Sequence, residues 1–424
     1  MTGFSLNFFS SRAAIAAAVT CVALSPVSAA RTRAETRWVG SWASAQMLVE
    51  AKDALPPQPK DITLRQLVRT SIGGARVRVR LSNAMGTSPL TISGVRIARA
   101  LSRGSSRIDS STDRRVTFAG ADTIVIPAGA EYVSDRVAMH IPALTTLAVS
   151  MHLSEVPKLQ TGHPGSRATS YFAPGDQLAA PELRAGGAAD HWYFLTGIDV
   201  EPKRASEAIA IVGDSITDGR GVISNTDTRW TDTLAERLKS SAGTRTIAVL
   251  NLGIGGNCLA DSCLGPNAAA RFQRDVIARS GVRYIIILEG VNDLGMLTRD
   301  SPAPAEAHRA LVKRMIGALA EMTAQARERG IKVIGATILP YGGSGYYHPD
   351  AANEADRRAI NDWIRTPGNV DAVVDFDALM RDPAQPNRLR KEFDSGDGLH
   401  PSAAGYRFMG EAVPLTLFSI GTHR

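Results

Sequence analysis

The sequence lacks several features that would point to a membrane, a nucleic acid or a metal. After residue 30, no stretch of the 424-residue chain is apolar over the roughly 20 residues that span a bilayer, so no stable membrane insertion is predicted. Basic residues are not interleaved with aromatic ones in a nucleic-acid-binding motif, so no nucleic-acid partner is predicted. The histidines show no metal-ligand spacing such as His-Glu-x-x-His, so we expect neither a metal nor another cofactor.

The first 30 residues have the pattern of a secretory signal. Arg12 precedes an apolar run over residues 13–24, and small residues follow in Pro26–Ala30. The run is too short to span a membrane, and the small residues predict cleavage after position 29 or 30. Residues 1–30 are therefore predicted to be a signal peptide, and the mature protein to be periplasmic or extracellular.

Cysteine is rare, with three residues in the whole chain. Cys21 lies in the predicted signal, which leaves Cys258 and Cys263. In an oxidising compartment so close a pair is predicted to form a disulfide, and two free or metal-bound thiols are the alternative. The loop is small, so we expect the bridge to stiffen the segment that begins at Gly255 more than it stabilises the whole fold.

Positive charge is in moderate excess, at +7, and is scattered along the chain. Arginine occupies alternate positions in Arg76–Arg80, which points these side chains to one face of a strand. We expect that face to be solvated, and a weak preference for acidic polymers or anionic surfaces is the alternative.

The hydrophobic pattern divides the chain into two regions. Residues 38–200 contain short alternating or β-branched runs separated by turn residues, which predicts a β-rich, sandwich-like N-terminal domain. Within it, residues 160–189 are rich in Gly, Pro and Ala and are expected to form a long surface loop. Over residues 206–424, apolar strands alternate with helical segments, which predicts a three-layer α/β/α domain with a parallel sheet.

A serine follows the first apolar strand of the second region. Residues 208–212 run directly into Gly213-Asp214-Ser215, which places a hydroxyl at the carboxyl edge of a buried strand, where open α/β sheets keep their active sites. A serine needs a base to take its proton as it attacks. His400, with Asp397 three residues before it, supplies the base and its partner in the chain order of an α/β-hydrolase triad. We therefore predict Ser215, Asp397 and His400 as catalytic residues.

Three donors at the ends of successive strands are candidates for an oxyanion hole. Ser215 offers its backbone N–H at a strand-to-helix turn, and Gly256 follows the next strand without a Cβ that would keep substrate away. Asn292 follows the third strand and carries a side-chain amide. Donors so placed stabilise the tetrahedral intermediate of acyl transfer.

Together these segments resemble the SGNH (GDSL-type) serine hydrolases, a family named for one residue in each of four sequence blocks. The matching blocks are Gly213–Thr217, Asn251–Asn257, Gly290–Asp293 and Asp397–Pro401. The resemblance implies that Ser215 is the nucleophile, that Gly256 and Asn292 complete the oxyanion hole, and that Asp397 and His400 complete the triad.

The first region looks like the front module of a two-domain secreted subset of this family, similar to a rumen acetyl-xylan esterase. Trp38–Trp42, Ser71–Gly74 and Leu81–Asn83 carry that likeness. It implies a serine esterase whose substrate is a short acyl (O-acetyl) ester on polysaccharide. A lipase-like or aryl esterase is the alternative, and a polysaccharide-binding envelope protein with an inert hydrolase domain is the non-enzyme alternative. A wide polar cleft would favour glycans, and an apolar tunnel would favour lipids.

A glycine-rich segment, Tyr341–Pro349, follows the fourth strand of the second region, so we expect it to overhang the site. Tyr346 and Tyr347 in this segment are candidate substrate-binding residues that could stack on sugar rings. A packed surface loop is the alternative.

Overall fold

The computed structural model describes residues 1–3, 38–56 and 60–418. Nearly all of the predicted signal peptide, including Arg12 and Cys21, lies outside the described residues. The described residues from 38 onward belong to one compact unit. Among the described helices, none is both long enough and apolar enough to cross a membrane.

The first region consists of short strands, as the sequence predicts. Its described strands are β1 (Val39–Ala43), β2 (Met47–Leu48), β3 (Ile62–Arg69), β4 (Gly74–Ser82), β5 (Leu90–Ile92), β6 (Gly94–Ala100), β7 (Ile108–Val116), β8 (Ile124–Ile126), β9 (Glu131–Val133), β10 (Val137–Ile141), β11 (Thr146–Leu153), β12 (Thr161–Pro164), β13 (Ser170–Pro174), β14 (Gly187–Ala189), β15 (His191–Tyr193) and β16 (Leu195–Glu201). One large sheet has the order β1-β16-β4-β10, with β9 also paired to β4, and the other has the order β14-β13-β3-β11-β6-β7. Their strand pairs are antiparallel, which confirms the predicted fold class of this region.

The expected long loop over residues 160–189 is wrong in part, because this stretch contains β12, β13 and β14. β12 pairs with β15 and β2, and β13 pairs with β3. Apart from Gly162, which lies within β12, the glycines and prolines lie between and at the ends of these strands, where they interrupt the alternating pattern by which a strand is recognised. Three segments of the stretch therefore belong to sheets, and the rest connects them.

The arginine face of β4 also differs from the expected solvated face. Arg78 and Arg80 lie opposite β16 and pair with Asp199, at 2.8 and 2.9 Å. Arg80 and Asp199 both also hydrogen-bond Ser280, which belongs to the second region. Alternation correctly places these side chains on one face, but their carboxylate partners come from a strand more than a hundred residues away in the chain.

The second region alternates strands and helices. Its described elements are β17 (Glu207–Gly213), α1 (Ser215–Asp218), α2 (Trp230–Ser240), β18 (Ile247–Gly253), α3 (Ala268–Phe272), which a π-helix over Gln273–Ile277 extends, β19 (Val282–Leu288), α4 (Val291–Thr298), α5 (Ala305–Glu328), β20 (Lys332–Ala336), α6 (Ala351–Arg365), β21 (Ala372–Val374), α7 (Phe376–Met380), short 3-10 helices over Lys391–Phe393 and Leu415–Leu417, and α8 (Ala403–Ala412). The five strands form a parallel sheet with the order β18-β17-β19-β20-β21.

Helices cover both faces of this sheet, which confirms the predicted α/β/α fold class. From β17 the chain first adds β18 on one side of the sheet, and it then adds β19, β20 and β21 on the other side. Because crossovers between parallel strands are right-handed, α2 lies on the opposite face of the sheet from α5 and α6. In agreement, α2 packs against α8, whereas α5 packs against α6 and β20. The order reverses beside β17, and ligands of such sheets bind where the order reverses, at the carboxyl ends of the strands.

Candidate active site

Ser215 lies where β17 passes into the very short helix α1. Asp214 caps this helix, because its side chain accepts the backbone N–H of Ile216 at 2.8 Å. Gly219 ends the helix with φ +92, a left-handed conformation that glycine adopts without strain. One turn of helix with a cap at each end holds the serine at the carboxyl edge of the sheet, with 9% of its surface exposed.

A chain of two hydrogen bonds joins Ser215 to His400 and His400 to Asp397. The distance from Ser215 Oγ to His400 Nε2 is 2.8 Å, and that from His400 Nδ1 to Asp397 Oδ2 is 2.7 Å. A carboxylate only accepts, so Nδ1 carries the proton and Nε2 is left to accept one from the serine. This arrangement can take the serine proton during attack on a carbonyl and return it to a leaving group.

The electrostatics of the pair match this division of roles. Burial lowers the pKa of His400 against the opposing effect of Asp397, and the positive charges of Arg220 and Arg167 lower it further. Partial burial acts to raise the pKa of Asp397, but hydrogen bonds from the backbone and ring of His400, together with its charge, bring it down to about 2. Near neutral pH the imidazole is therefore neutral and the carboxylate is ionised, as a general base and its partner require.

The three predicted oxyanion donors come from three neighbouring strand ends. Neither the backbone N–H of Ser215 nor that of Gly256 donates to an acceptor among the described residues. Gly256 has φ +72, and a Cβ there would lie 2.7 Å from Leu264 Cδ1, so only glycine fits without rearrangement. Asn292 lies in the first turn of α4, and its side chain also lines the cleft in which Ser215 and Gly256 lie.

Comparison with known proteins identifies the second region. Residues 211–408 match the GDSL-like Lipase/Acylhydrolase family. This part of the chain belongs to that family. Because the members of this family are acylhydrolases, this part of the chain is a carboxylic ester hydrolase. No curated protein matches the chain.

The hydrolase region is also similar to solved structures. A GDSL-like lipase from Bacteroides thetaiotaomicron is 20% identical, with a TM-score of 0.36; the match covers 49% of this chain and 85% of the lipase chain. An α/β hydrolase from the metagenome of Lake Arreo is 22% identical, with 50% and 94% coverage and a TM-score of 0.35. An acetylxylan esterase from Geobacillus stearothermophilus is 23% identical, with 52% and 100% coverage and a TM-score of 0.38.

Tyr346 and Tyr347, the predicted substrate-binding tyrosines, both line the cleft but differ in exposure. Tyr347 is 4% exposed, and its hydroxyl donates to Asn292 Oδ1 at 2.5 Å. Asn292 in turn donates from Nδ2 to the carbonyl of Asn257 at 2.6 Å, which orients the amide and leaves it a second hydrogen. Tyr346 is 59% exposed, and its ring is the one that solvent can reach.

The loop after Gly256 is held by a disulfide and by a carboxylate. Cys258 and Cys263 form the predicted bridge. Asp293 accepts the backbone N–H groups of three consecutive loop residues, Leu259 at 2.7 Å, Ala260 at 3.0 Å and Asp261 at 3.3 Å. The sequence includes Asp293 only as the last residue of the block Gly290–Asp293. Its position next to Asn292 is the signal that could have suggested that it holds this loop.

Arg271 is a buried residue that sequence reasoning missed. It is 1% exposed, and its guanidinium donates to the carbonyls of Leu252 at 2.7 Å and Gly213 at 3.2 Å. The same group donates to Asn257 Oδ1 at 3.0 Å. One side chain thus joins the ends of β17 and β18 to the loop that carries Gly256, the predicted oxyanion donor. A single arginine in α3 gives no sequence signal of this function.

A buried histidine from the strand-rich region contacts α1, the helix that begins with Ser215. His163 Nε2 lies 2.8 Å from Asp218 Oδ1, at the end of α1, and its Nδ1 bonds the carbonyl of Ala45 at 2.9 Å. His163 and Asp218 are each 3% exposed. Because Ala45 O can only accept, Nδ1 donates to it. Sequence reasoning noted His163 only for its lack of metal-ligand spacing.

Buried acids lie beneath the site. Burial raises the pKa of Asp214 to about 7, and the neighbouring charges of Asp293 and Asp218 add to this effect. Burial also raises the pKa of Glu289 well above its ordinary value, and Arg271 lies 3.9 Å from it and opposes that shift. Burial thus shifts the pKa of both acids towards the neutral form, and Arg271 also lies 3.7 Å from the buried Asp275.

The cleft in front of Ser215 has a volume of about 1220 Å³ and is lined by both regions. The hydrolase region contributes the predicted site residues, and the strand-rich region contributes Met47, Asp53, Arg167 and His191 among others. In the part of the chain that the structure describes, no three His, Cys, Asp or Glu side chains are grouped so that they could hold a metal ion.

Proposed function

We propose that this protein hydrolyses carboxylic esters through an acyl-enzyme on Ser215, and that its substrates are short acyl esters, above all O-acetyl esters, on polysaccharide. One observation carries the proposal. The hydrogen-bonded chain from Ser215 through His400 to Asp397 stands at the carboxyl edge of the sheet and opens into a large cleft.

In the acylation step, Ser215 Oγ attacks the ester carbonyl carbon while its proton passes to His400 Nε2. Asp397 holds the other ring nitrogen and stabilises the imidazolium that forms. The carbonyl oxygen becomes an oxyanion and accepts hydrogen bonds from the backbone N–H groups of Ser215 and Gly256 and from Asn292 Nδ2. The tetrahedral intermediate collapses, the alcohol leaves with the proton from His400, and the acyl group stays on the serine.

In the deacylation step, water takes the place of the alcohol. His400 accepts a proton from the water as its oxygen attacks the acyl carbon, and the same donors bind the second oxyanion. The bond to Ser215 Oγ breaks, the serine recovers its proton from His400, and the carboxylic acid is released.

The shape of the cleft supports a glycan as the alcohol part. Its volume of about 1220 Å³ exceeds the roughly 300–1,000 Å³ of a typical small-molecule pocket. Charged residues from both regions line it, and the hydrolase region adds hydroxyl-bearing residues. Tyr346 offers an exposed aromatic ring against which a sugar can pack. These features favour a polar polymer over the acyl chain of a lipid.

Export is part of the proposal. The N-terminal pattern of residues 1–30 and the disulfide between Cys258 and Cys263 both fit an oxidising compartment outside the cytoplasm. We expect N-terminal sequencing of the mature protein to begin at residue 30 or 31. A protein that retains Met1 when expressed in its natural host would contradict export by this route.

The proposed activity is tested by measuring acid release from acetylated glycans, acetylated xylan among them, and from aryl esters of increasing chain length. The experiment compares the wild type with Ser215→Ala. We expect serine-dependent acetate release from at least one glycan. Activity confined to aryl or long-chain esters would move the substrate class to that of a lipase-like esterase. A folded wild-type protein without activity on any ester would refute the proposed activity.

A further inference from the structure

Two arginines line the cleft without an acidic partner. Arg167 lies in the loop between β12 and β13 of the strand-rich region, and Arg220 follows the nucleophile helix. Neither forms an ion pair with a carboxylate in the described part of the chain. A third arginine of the cleft, Arg299, differs from them because Asp300 binds it at 2.8 Å.

The acidic side chains of the cleft are already occupied by other groups. Asp218 bonds His163, and Asp397 bonds His400. The remaining pairs are Glu50 with Lys52 at 2.6 Å and Asp53 with His191 at 3.3 Å. Arg167 and Arg220 are therefore left with guanidinium N–H donors that can bind an anion from outside the protein.

Hydrogen bonds hold the side chain of Arg167 and the backbone of Arg220 in place. Arg167 has φ +49, a left-handed conformation that is unfavourable for a residue with a Cβ, and its Nε donates to the carbonyl of Gly219 at 3.0 Å. The backbone N–H of Arg220 donates to Ser215 O at 2.8 Å, and its carbonyl accepts the hydroxyl of Tyr406 at 2.8 Å. The side chain of Arg167 thus reaches the end of α1 from the strand-rich region, and the backbone of Arg220 is bonded to the backbone of Ser215.

Both arginines line the same cleft as His400. Each of the two positive charges acts on the imidazole of His400. In the proposed reaction His400 delivers a proton to the leaving alkoxide, so the groups around it border the alcohol part of the substrate. The acyl part lies towards the oxyanion donors Gly256 and Asn292.

We infer that Arg167 and Arg220 bind a carboxylate on the alcohol part of the ester, so that the preferred substrate is an O-acetylated glycan that contains uronic acid. The inference rests on the proposed function. A guanidinium matches the planar geometry of a carboxylate and can bind it through two parallel hydrogen bonds. Two such groups would hold an acidic sugar beside His400 while its acetyl group lies against Ser215.

The test uses two pairs of substrates that differ only in this charge. One pair is an O-acetylated oligogalacturonide and the same oligosaccharide with its carboxylates converted to amides. The other is 4-acetoxybenzoate and 4-acetoxybenzamide, in which the charge is also on the alcohol part. We measure kcat/KM on the pH plateau of the wild type, Arg167→Gln, Arg220→Gln and the double variant. Arg309→Gln, an exposed charge change on α5, is the matched control.

We expect the wild type to prefer the acid over the amide by about tenfold or more, as expected for loss of a charge-assisted hydrogen bond. Each arginine variant should lower that ratio, and the double variant should bring it close to one, while Arg309→Gln keeps the wild-type ratio. Added salt should reduce the preference. Because the readout is a ratio, a general loss of activity in a variant does not imitate the expected result.

The outcomes separate this inference from the proposed function. Hydrolysis of acid and amide at equal rates, with the ratio unchanged in the variants, would overturn the inference while leaving ester hydrolysis intact. A preference for 4-acetoxybenzoate that depends on both arginines, without acetate release from the oligosaccharide, would support anion binding and contradict a glycan substrate. A wild type with no activity on either pair would refute both.

Discussion

The two segments that supply the proposed catalytic groups are held in place in different ways. The loop over Asp394–His400 is closed by its own residues, since Asp394 accepts the N–H groups of Gly396 and Gly398. Asp397 accepts those of Leu399 and His400 in the same manner. The loop therefore carries within itself most of what positions its histidine.

The segment that carries Ser215, the proposed nucleophile, instead depends on the strand-rich region. His163 bonds Asp218, Arg167 donates to the carbonyl of Gly219, and Arg229 reaches back to the carbonyl of Ser166. These contacts join residues more than fifty positions apart in the chain. The comparison indicates that the strand-rich region, whatever it binds, also helps to build the active site.

Breaking the bond between the two segments should have the largest effect. We expect Ser215→Ala and His400→Ala each to lower kcat on an aryl acetate by roughly 10³-fold or more, because the nucleophile and the base act as a unit. The double variant should lose little beyond either single one. Kinetics measured beside circular dichroism check this. Unchanged turnover in folded Ser215→Ala would refute the nucleophile.

Removing the support from the strand-rich region should have the next largest effect. His163→Leu removes both ring hydrogen bonds and leaves Asp218 buried without its partner, which costs on the order of 1–3 kcal/mol. We expect kcat to fall roughly tenfold or more, since small shifts of a nucleophile are costly. Thermal unfolding and steady-state kinetics are measured together. His163→Gln, which retains one donor, should recover part of the loss.

His308→Leu is the matched control for His163→Leu. His308 and Asp356 form another buried histidine–aspartate pair, at 2.5 Å between α5 and α6, and neither residue lines the cleft. We expect a similar decrease in the free energy of unfolding with kcat unchanged. If both variants lowered kcat equally, the contact of His163 would be a general stabilising contact without a special effect on the nucleophile.

Removing the disulfide should have a smaller effect. We expect Cys258→Ser with Cys263→Ser to lower kcat by only about two- to tenfold, because Asp293 still accepts three N–H groups of the same loop. The closed loop is small, so the thermal midpoint should change little. Kinetics and thermal unfolding with and without reductant provide the measurement. A large loss of stability would show instead that the bridge supports the whole fold.

The smallest expected effect is a shift in the pH profile. Because burial lowers the pKa of His400 below 6.5, kcat/KM should fall with decreasing pH only below that value, as the base becomes protonated. Arg220→Gln removes a positive charge that lowers this pKa, whereas Asp397 and Arg167 continue to act. We therefore expect the acid limb to move to higher pH by less than about one unit. A shift to lower pH would contradict this assignment, and Arg309→Gln should leave the profile unchanged.

Much of the site could be predicted from the sequence because its groups follow strand ends in a regular pattern. The apolar strands predict a parallel sheet, and a parallel sheet brings its carboxyl ends to one edge. Ser215, Gly256 and Asn292 therefore had to lie close together once the fold class was known. The pair Asp397 and His400 needed even less, since the two residues are three positions apart in one loop.

The supporting residues could not be predicted in the same way. Arg271 and His163 act through backbone carbonyls or a remote carboxylate, and no local pattern in the sequence marks such a contact. The arginine face of β4 shows the same limit, because alternation predicts its direction but not its partner Asp199. Residues 160–189 were missed as strands because turn residues interrupt their alternation.

By itself the sequence determined the α/β class of the second region, the strand-rich character of the first, and the chemical groups placed at the sheet edge. Hydrophobic periodicity and short-range spacing are local properties, and local properties can be read from the order of residues. Only the tertiary structure decided that His163 supports the nucleophile helix and that Arg167 lies beside Arg220 in one cleft. Those contacts join segments that are distant in the sequence and come together because they pack on a shared hydrophobic core. No pattern along the chain specifies which polar groups then meet.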